Sequence, residues 1–580
     1  MDRRTVWAIL IMMVIAIAPA LLIKRPAPTG NRVGGPADSA SVATPPGQAL
    51  PGQAPEPGRV DSSPPPADSI AAAPAAAPSA DTIRVTSPLY TYGISSVGAR
   101  MVEATLHRYR TMAPAERGKT AQILPPESEL LDLTLALGQD TIPLRDWAFV
   151  PSAESLTVSA QTPLRLTASK GGVAVALTYT FRPDDYRIEV AGRVQGVGPN
   201  GGLLLMGMGP TLANTEANED ENHQALALVT KQNEAERTDF AGLDPGEPKT
   251  ISGPLEWAAV KSKYFVTGVL AFDSTGGGIS GVTATAPADA GKNPTSADVR
   301  LSIPLPPSGA FAYVLYAGPM EYDRLSRLGH DFDDVNPYGW PGFRTIIRPV
   351  AVGVRWLFVW MHEHLHLAYG LVLVIFGILV RILLWPLNQK AMRANMKLQE
   401  VQPLMKEIQD RYKSDPQKMQ QEMFKLYKEY KVNPLGGCWP MLLPMPVLFA
   451  LFFVFQNTIE LRGASFLWLP DLSRPDPIYI IPLVMGVSMY GLTKVGMMGM
   501  PPNPQMKMML YVMPVMMTFL FLNFASGLNL YYAVSNIASI PQQWLLARER
   551  MKRTARAIVD VKTERPPGPA ASASKKRKKA

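Results

Sequence analysis

The stretch from Leu367 to Lys390 constrains this chain more than any other feature of its sequence. It holds about twenty apolar residues, which is enough to cross a bilayer as an α-helix. Apart from Lys390 at its end, the stretch contains one charge, Arg381, and an arginine near the centre of a spanning helix costs roughly 2.5–3.5 kcal/mol on insertion scales. The side chain could reach the headgroups, but residues 382–385 continue the apolar run beyond it. The pattern therefore favours a spanning helix whose arginine faces a hydrated cavity or a partner.

Charge is unevenly distributed along the sequence. The whole chain carries a net charge of +9, yet residues 81–336 contain more acidic than basic residues. The basic excess therefore lies near the apolar segments, which is typical of cytoplasmic loops of membrane proteins rather than of a nucleic-acid-binding surface. Cys438 is the only cysteine, so no intrachain disulfide can form.

The N-terminal part predicts an export signal followed by a tether. Residues 1–23 begin with Arg3 and Arg4 and then run apolar, which fits a cleaved signal peptide or, favoured by its length, an uncleaved transmembrane anchor. Residues 24–80 are rich in proline and alanine and predict a disordered linker.

Residues 81–336 alternate between apolar and polar positions. Thr82-Ile83-Arg84-Val85 and Val173-Ala174-Val175-Ala176-Leu177 are two examples, and glycine-rich turns separate such runs. This period of two predicts a large exported, antiparallel β-sandwich. No catalytic constellation is visible in it.

Residues 337–362 have a helical period, with one apolar face and with Arg344, Arg348 and Arg355 on another. The pattern predicts a periplasmic amphipathic helix that lies on the membrane surface with its arginines at the lipid phosphates. Residues 363–387 then form the predicted second transmembrane helix around Arg381.

Residues 388–433 are charged and helical in pattern, and they predict a cytoplasmic helical hairpin. Asp415 and Pro416 fit the N-cap and the first position of its second helix. Two apolar stripes contain the methionines that we expect to form its contact surface: Met392, Met396, Met405, Met419 and Met423.

The remaining spans are predicted at 434–457, 478–494, 508–525 and 527–547, with a periplasmic loop at 458–477 and a cytoplasmic loop at 495–507. The fold class is thus a six-helix membrane protein with a periplasmic β-sandwich, and both termini lie in the cytoplasm. The tail at 548–580 is basic and is expected to be disordered and to contact anionic lipid or RNA.

Two other functions are open to this sequence. Residues 362–366, with His362, Glu363 and His366, fit the H-E-x-x-H pattern of zinc proteases, so an intramembrane metalloprotease is the alternative hypothesis. No clear third ligand follows, and the motif lies at the outer end of a span. A transporter with Arg381 as its anion site is a further alternative, but the spans contain no inverted repeat.

The last span contains polar groups at Tyr531, Tyr532 and Asn536. They fit either packed interfacial residues or the lining of a cavity around Arg381.

Two stretches carry a family resemblance. Residues 433–440 read NPLGGCWP, and residues 526–536 read SGLNLYYAVSN. Both resemble signatures of the YidC/Oxa/Alb membrane-insertase family, and the order of spans with a large exported domain resembles the form found in Gram-negative bacteria.

The resemblance implies an insertase and chaperone of the bacterial inner membrane that is not an enzyme and needs neither nucleotide nor cofactor. Five spans would form its core around a hydrophilic groove open to the cytoplasm, with Arg381 as the groove arginine. Its partners would be nascent inner-membrane proteins, the lipid bilayer, the Sec translocon (SecYEG and SecDF) and, through the basic tail, the ribosome. Two groove positions depart from the family pattern: Gly377 replaces a threonine, and Pro444 replaces a glutamine. The groove is therefore expected to be less polar.

Overall fold

The N-terminal half of the described chain folds as two stacked β-sheets. The computed structural model describes residues 81–126, 128–271, 278–339, 343–430, 445–500 and 504–563. The 20 strands within them are β1 Thr82–Thr86, β2 Tyr90–Ser95, β3 Met101–Arg110, β4 Thr120–Gln122, β5 Leu130–Leu137, β6 Asp140–Pro143, β7 Val150–Pro151, β8 Ser155–Thr157, β9 Thr162–Lys170, β10 Val173–Phe181, β11 Arg187–Gln195, β12 Gly202–Met208, β13 Ala227–Lys231, β14 Ala235–Asp239, β15 Pro248–Leu255, β16 Trp257–Lys261, β17 Phe265–Leu270, β18 Ile279–Thr285, β19 Asp298–Leu305 and β20 Ala310–Pro319.

One sheet has the order β15-β18-β19-β12-β5-β3-β2-β1-β8, with β4 on β3 and β6 on β5, and the other has the order β14-β13-β16-β17-β20-β11-β10-β9-β7. Their pairings are antiparallel except for β1 with β8. The inner faces share one apolar core that includes Tyr92, Phe181 and Trp257. Strand β1 alternates between exposed and buried residues, as its period of two predicts. The β-sandwich prediction is therefore confirmed.

Strand β17 departs from this alternation because both of its faces are covered. All six of its residues are buried. On its outer side, the ring of Phe332 packs so close to Gly268 that a Cβ there would lie 2.7 Å from the ring. The same ring meets Trp257 edge to face at 5.1 Å. The chain between β20 and the first long helix thus folds back over the sandwich and fastens it to the helical half.

The described helices are α1 Glu219–Ala225, α2 Tyr322–Arg327, α3 Arg344–Leu365, α4 Tyr369–Arg411, α5 Pro416–Glu429, α6 Met445–Asn457, α7 Ile480–Gly496, α8 Pro504–Phe521 and α9 Ser526–Thr563. Some boundaries differ from the predicted ones. Residues 363–365 end α3 rather than begin a span, and α4 passes position 388 without a break. Helix α9 continues to Thr563, whereas disorder was expected from residue 548. Residues 1–80, 431–444 and 564–580, which hold the predicted anchor, linker, NPLGGC motif, Pro444 and end of the tail, lie outside the described residues.

Among the described helices, the segment Tyr369–Gln389 is long and apolar enough to cross a bilayer, by its length and composition. Three shorter apolar helices accompany it, at Met445–Asn457, Ile480–Gly496 and Met506–Phe521. The count of six spans goes beyond this finding.

The prediction that the arginines of α3 lie at the lipid phosphates is wrong, because these arginines pair with acidic residues of the protein. Arg344 pairs with Asp334, and an Arg348 Nη2 lies 2.6 Å from an oxygen of Asp333. Arg355 is 3% exposed and pairs with Asp323 at 3.0 Å and with Glu460. The outward side of α3 carries apolar residues instead, with Trp356 stacked on Trp360. The helical periodicity of the sequence could not reveal that acidic residues before and after the helix form ion pairs with its arginines.

The loop at 458–479, between α6 and α7, joins the helices to the sandwich; we call it the outer loop. Its Ile459 belongs to the apolar core of the sandwich. The Arg462 guanidinium donates to both carboxylate oxygens of Glu216, at 2.9 and 3.0 Å, and to the backbone carbonyl oxygens of Arg110 and Thr215, each at 2.8 Å. A charge-assisted, nearly water-free contact of this kind holds the two halves in a defined position.

Candidate functional site around Arg381

Arg381 lies on α4 where this helix packs against α9. Its Nε donates a hydrogen bond to the Ser535 hydroxyl at 2.6 Å. Gly377, one turn earlier on α4, permits this approach: a Cβ there would lie 3.2 Å from Val534 and 3.6 Å from the Tyr531 ring. Within the described part of the chain, no carboxylate lies within 4.0 Å of the Arg381 guanidinium. Its positive charge is thus held by a neutral hydroxyl.

The two predicted tyrosines also lie at this contact. Both lie near the Arg381 guanidinium. The buried ring of Tyr531 lies 5.8 Å from Phe376, and the Tyr531 and Tyr532 rings meet edge to face at 5.6 Å. The Tyr532 hydroxyl is buried and has no hydrogen-bond partner among the described residues. The structure therefore brings Arg381, Gly377 and both tyrosines together, and it leaves one polar donor unused.

Asn536 does not join this group. Its side-chain amide donates to the Ser488 hydroxyl of α7 at 3.2 Å, and Ser488 in turn donates to the Met485 carbonyl oxygen at 2.7 Å. Adjacent residues of an α-helix point about 100° apart, so Asn536 and Ser535 serve different neighbours. Asn536 therefore fastens α9 to α7.

Sequence reasoning missed a polar stripe on α9. Ser535 holds Arg381, the Ser539 hydroxyl donates to the Ser535 carbonyl oxygen at 2.7 Å, and the Gln542 amide donates to the Trp385 carbonyl oxygen of α4 at 3.0 Å. With Tyr531, these residues recur at spacings of four, four and three, which places them on one helix face. That spacing was readable in the sequence, and it adds three polar groups to the face that meets α4.

The cytoplasmic hairpin is partly described. Asp415 caps α5 by accepting a hydrogen bond from the Lys418 amide, and Pro416 is its first residue, which confirms both predictions. Met405 packs against the small core of Val401 and Leu426. Met419 and Met423 on α5 are half-buried. Met392 and Met396 lie within α4, but their side chains are outside the described part.

The geometry that the zinc-protease alternative requires is not formed. Helix α3 ends at Leu365, and His366 follows in a left-handed conformation, so His362 and His366 do not share a helix face. A ring nitrogen of His362 lies 2.8 Å from the Leu367 carbonyl oxygen, and its ring stacks on Tyr369. Among the described residues, no cluster of three potential ligands could hold a metal ion.

Buried ionisable groups outside the spans also concentrate near the sandwich–helix contact. Burial raises the pKa of the Glu460 carboxyl, an effect that the neighbouring Arg355 opposes. Burial has the opposite effect on an amine, and it lowers the pKa of Lys261 well below its usual value. The Lys261 amine donates to the Asn336 side-chain oxygen at 2.9 Å, and Asn336 donates to the Asn457 carbonyl oxygen at the end of α6.

Comparisons with known proteins cover both halves of the chain. A family described as "60Kd inner membrane protein" matches residues 360–554, and one described as "YidC periplasmic domain" matches residues 82–352. Among solved structures, "Active YidC insertase crystal structure with the first transmembrane domain resolved" covers 80% of this chain and 93% of that chain, at 17% identity and a TM-score of 0.33.

Alignments with curated relatives cover most of this chain and most of each relative. The chain is 31% identical over 490 residues to "Membrane protein insertase YidC" of Chlorobaculum tepidum, which covers 80% of this chain and 81% of the relative. It is 32% identical over 503 residues to the protein of the same name from Oleidesulfovibrio alaskensis, with 83% and 89% covered. Because these alignments and the two family matches take in both the sandwich and the helices, the chain belongs to the YidC/Oxa family of inner-membrane protein insertases.

Proposed function

We propose that this insertase admits nascent membrane proteins through a polar groove at the contact of α4 and α9, and that Arg381 is its charge-selective element. One observation carries the proposal: among the described residues, the hydrogen-bond partner of Arg381 is the Ser535 hydroxyl, which cannot neutralise a guanidinium. An unneutralised arginine inside a spanning segment is costly and is retained where it has a function.

The remaining charge attracts acidic or polar residues of an incoming segment. A carboxylate about 4 Å from a guanidinium gains roughly 4 kcal/mol at an effective dielectric constant of 20. That gain offsets part of the cost of moving an exported acidic tail through the apolar layer. Very hydrophobic segments need less of this help because their own burial favours insertion.

The polar stripe on α9 extends the same surface. The Tyr532 hydroxyl has no partner among the described residues, and it can hydrogen-bond a passing substrate group. Ser535, Ser539 and Gln542 provide further polar atoms along the helix. Such groups replace part of the hydration of a polar segment during its transfer, so the step needs no covalent chemistry, nucleotide or cofactor.

The wider topology forms part of the proposal. Six spans, five of them in the insertase core, would place both termini in the cytoplasm, in keeping with the basic residues next to the spans. The chain would also act as a folding chaperone for inner-membrane proteins. Its partners would be the Sec translocon and, through the basic end of the chain, the ribosome.

Site-specific crosslinking tests this proposal. A photoreactive phenylalanine analogue replaces Tyr532 at the groove, and a matched variant carries it at Tyr511, which is 57% exposed on α8. Ribosomes stalled during synthesis of a membrane protein with an acidic exported tail supply the substrate. We expect a crosslink from position 532 that is several-fold stronger than that from position 511. Equal crosslinks from both positions would contradict a groove at this site.

A further inference from the structure

The outer loop exposes several large apolar residues while it buries two of its acidic ones. Asp476 is 1% exposed, and Asp471 is also buried. Leu467 is 74% exposed, and Trp468, Ile478 and Tyr479 are exposed too, whereas the other large apolar residues of the loop, such as Leu461 and Leu472, are buried. In water, acidic side chains are normally the exposed ones and a group of large apolar side chains is normally covered. The outward side of this loop is therefore suited to an apolar neighbour.

The loop displays these apolar residues by a defined construction. Phe466 and Leu469 exchange two backbone hydrogen bonds of 2.9 Å, which leaves Leu467 and Trp468 at the tip of a tight turn. Leu467 has a φ of +55°, a left-handed conformation in which a bulky side chain is strained. A strained residue persists only where its surroundings fix it, and such positions cluster at functional sites.

Asp476 ties this tip to the beginning of α7. One of its oxygens accepts hydrogen bonds from the Trp468 indole nitrogen at 3.2 Å and from the Ile478 amide at 3.1 Å. Its other oxygen accepts one from the Ile481 amide at 2.7 Å, at the start of the helix. The tip therefore has a fixed position relative to the axis of α7.

The exposed apolar surface continues from the loop onto α7, where Leu483, Val484 and Val487 are exposed. In an inner-membrane protein, an exposed apolar helix face contacts lipid. Tryptophan and tyrosine concentrate where the acyl chains meet the headgroups, because each combines an apolar ring with a polar group. Continuity with the lipid-facing side of α7 thus identifies the outer leaflet as the neighbour of the loop.

We propose that the Leu467–Trp468 tip and the adjacent Ile478–Tyr479 pair are inserted in the headgroup boundary of the outer leaflet. This insertion sets the depth of α6 and α7 at their outer ends. Since the same loop holds Arg462 against the sandwich, it also sets the height of the periplasmic domain above the membrane. The inference does not depend on the role of Arg381.

Fluorescence depth measurement tests the proposal on the full chain in lipid vesicles. Cys438 is replaced by serine, and an environment-sensitive dye is attached at Leu467→Cys or, in a second variant that leaves the turn intact, at Ile478→Cys. The control is Val150→Cys. Val150 is 50% exposed and apolar, but its strand β7 lies five strands away from β17, whose Phe265 ring is 5.5 Å from the Arg462 guanidinium of the outer loop.

We expect blue-shifted emission at positions 467 and 478, and quenching by a shallow nitroxide lipid several-fold greater than at position 150. A deep nitroxide lipid should quench less than the shallow one. Water-like emission quenched equally by iodide at all three positions would overturn the proposal. So would a signal that changes with the protein-to-lipid ratio, because this would indicate contact with a second copy of the chain.

A substitution supplies the causal test. Asparagine tolerates the left-handed conformation, so Leu467→Asn removes the apolar tip without adding strain. It should reduce shallow-lipid quenching of a dye at position 478 several-fold, whereas Val150→Asn should leave it unchanged. Unchanged quenching with both substitutions would show that the tip does not anchor the loop.

Discussion

Arg462 and Arg381 are two arginines inside this protein that the chain surrounds in opposite ways. Arg462, in the outer loop, is bound by a carboxylate and two backbone carbonyl oxygens. Arg381, between α4 and α9, has a hydroxyl as its described hydrogen-bond partner. The charge of Arg462 is neutralised in a contact that joins two parts of the fold, whereas Arg381 has no carboxylate partner among the described residues. This difference in surrounding chemistry, rather than burial alone, is the reason why we propose a function for Arg381 and a structural role for Arg462.

Removing the partner of the structural arginine should have the largest effect. Glu216→Ala leaves Arg462 buried without its counter-ion, and breaking a buried pair in this way typically costs about 3–5 kcal/mol. We expect that loss in the free energy of unfolding of the purified full-length protein. Glu103→Ala serves as the control, because its partner Arg84 is exposed and such pairs are worth about 0.2–1 kcal/mol. Equal losses of unfolding free energy in Glu216→Ala and Glu103→Ala would contradict the structural role of Arg462.

Arg381→Ala should lower insertion of a substrate with an acidic exported tail by about tenfold or more, because the loss of a close ion pair is worth several kcal/mol in a partly dry site. A substrate with a neutral tail should be largely spared. Arg381→Lys should retain much of the activity, and Arg381→Glu should be worst for acidic tails.

The two substrates are compared in vesicles alongside thermal stability of each variant. Stability should not fall in Arg381→Ala, since a costly charge is removed. An equal loss for both substrates that follows a fall in stability would place Arg381 with Arg462 as a structural residue.

Ser535→Ala should have an intermediate effect. It removes the hydrogen bond that orients the Arg381 guanidinium, a contact worth roughly 1 kcal/mol or somewhat more. We expect insertion of the acidic-tailed substrate to fall several-fold relative to the neutral one, with recovery in Ser535→Thr. Thr493→Val on α7 is the control, because the Thr493 hydroxyl bonds the Met489 carbonyl oxygen of its own helix and lies outside the proposed groove. The same acidic-to-neutral ratio in both variants would remove Ser535 from the site.

Asn536→Ala should have the smallest effect on selectivity. It breaks the contact with Ser488, which should lower the stability of the purified protein by about 1 kcal/mol. The ratio of acidic-tailed to neutral-tailed insertion should stay unchanged because Asn536 faces α7. A change in that ratio would extend the functional surface to a second side of α9.

The sequence was a good guide wherever a local pattern has one physical reading. Alternation along β1 and β10 predicts the sandwich that is observed. Polar residues within apolar runs predict that Arg381 and Tyr531 lie inside the protein, and both are found at the contact of α4 and α9. Their role in a groove stays a prediction. Each of these conclusions depends on residues that lie close together in the chain, so no distant contact had to be known.

Predictions failed where distant partners decide the outcome. The arginines of α3 form a clear stripe in the sequence. The neighbouring residues do not indicate whether lipid phosphates or the carboxylates of Asp323, Asp333 and Asp334 neutralise their charges. Strand β17 lost its alternation because Phe332 covers its outer side. Ser535 was overlooked because serine is common in helices, and its importance arises from a residue more than 150 positions earlier.

The hydrogen bond from Gln542 to the Trp385 carbonyl oxygen has a mechanical consequence. It joins α4 and α9 where each helix contains a proline, Pro386 directly after Trp385 and Pro541 directly before Gln542. Proline removes one backbone hydrogen bond and makes a helix bend there most easily. Both helices therefore lack a backbone hydrogen bond at the same level, about one turn beyond Arg381, and the Gln542 side chain ties them together there. A bend at this level would move the far ends of α4 and α9 together and would leave the part around Arg381 in place.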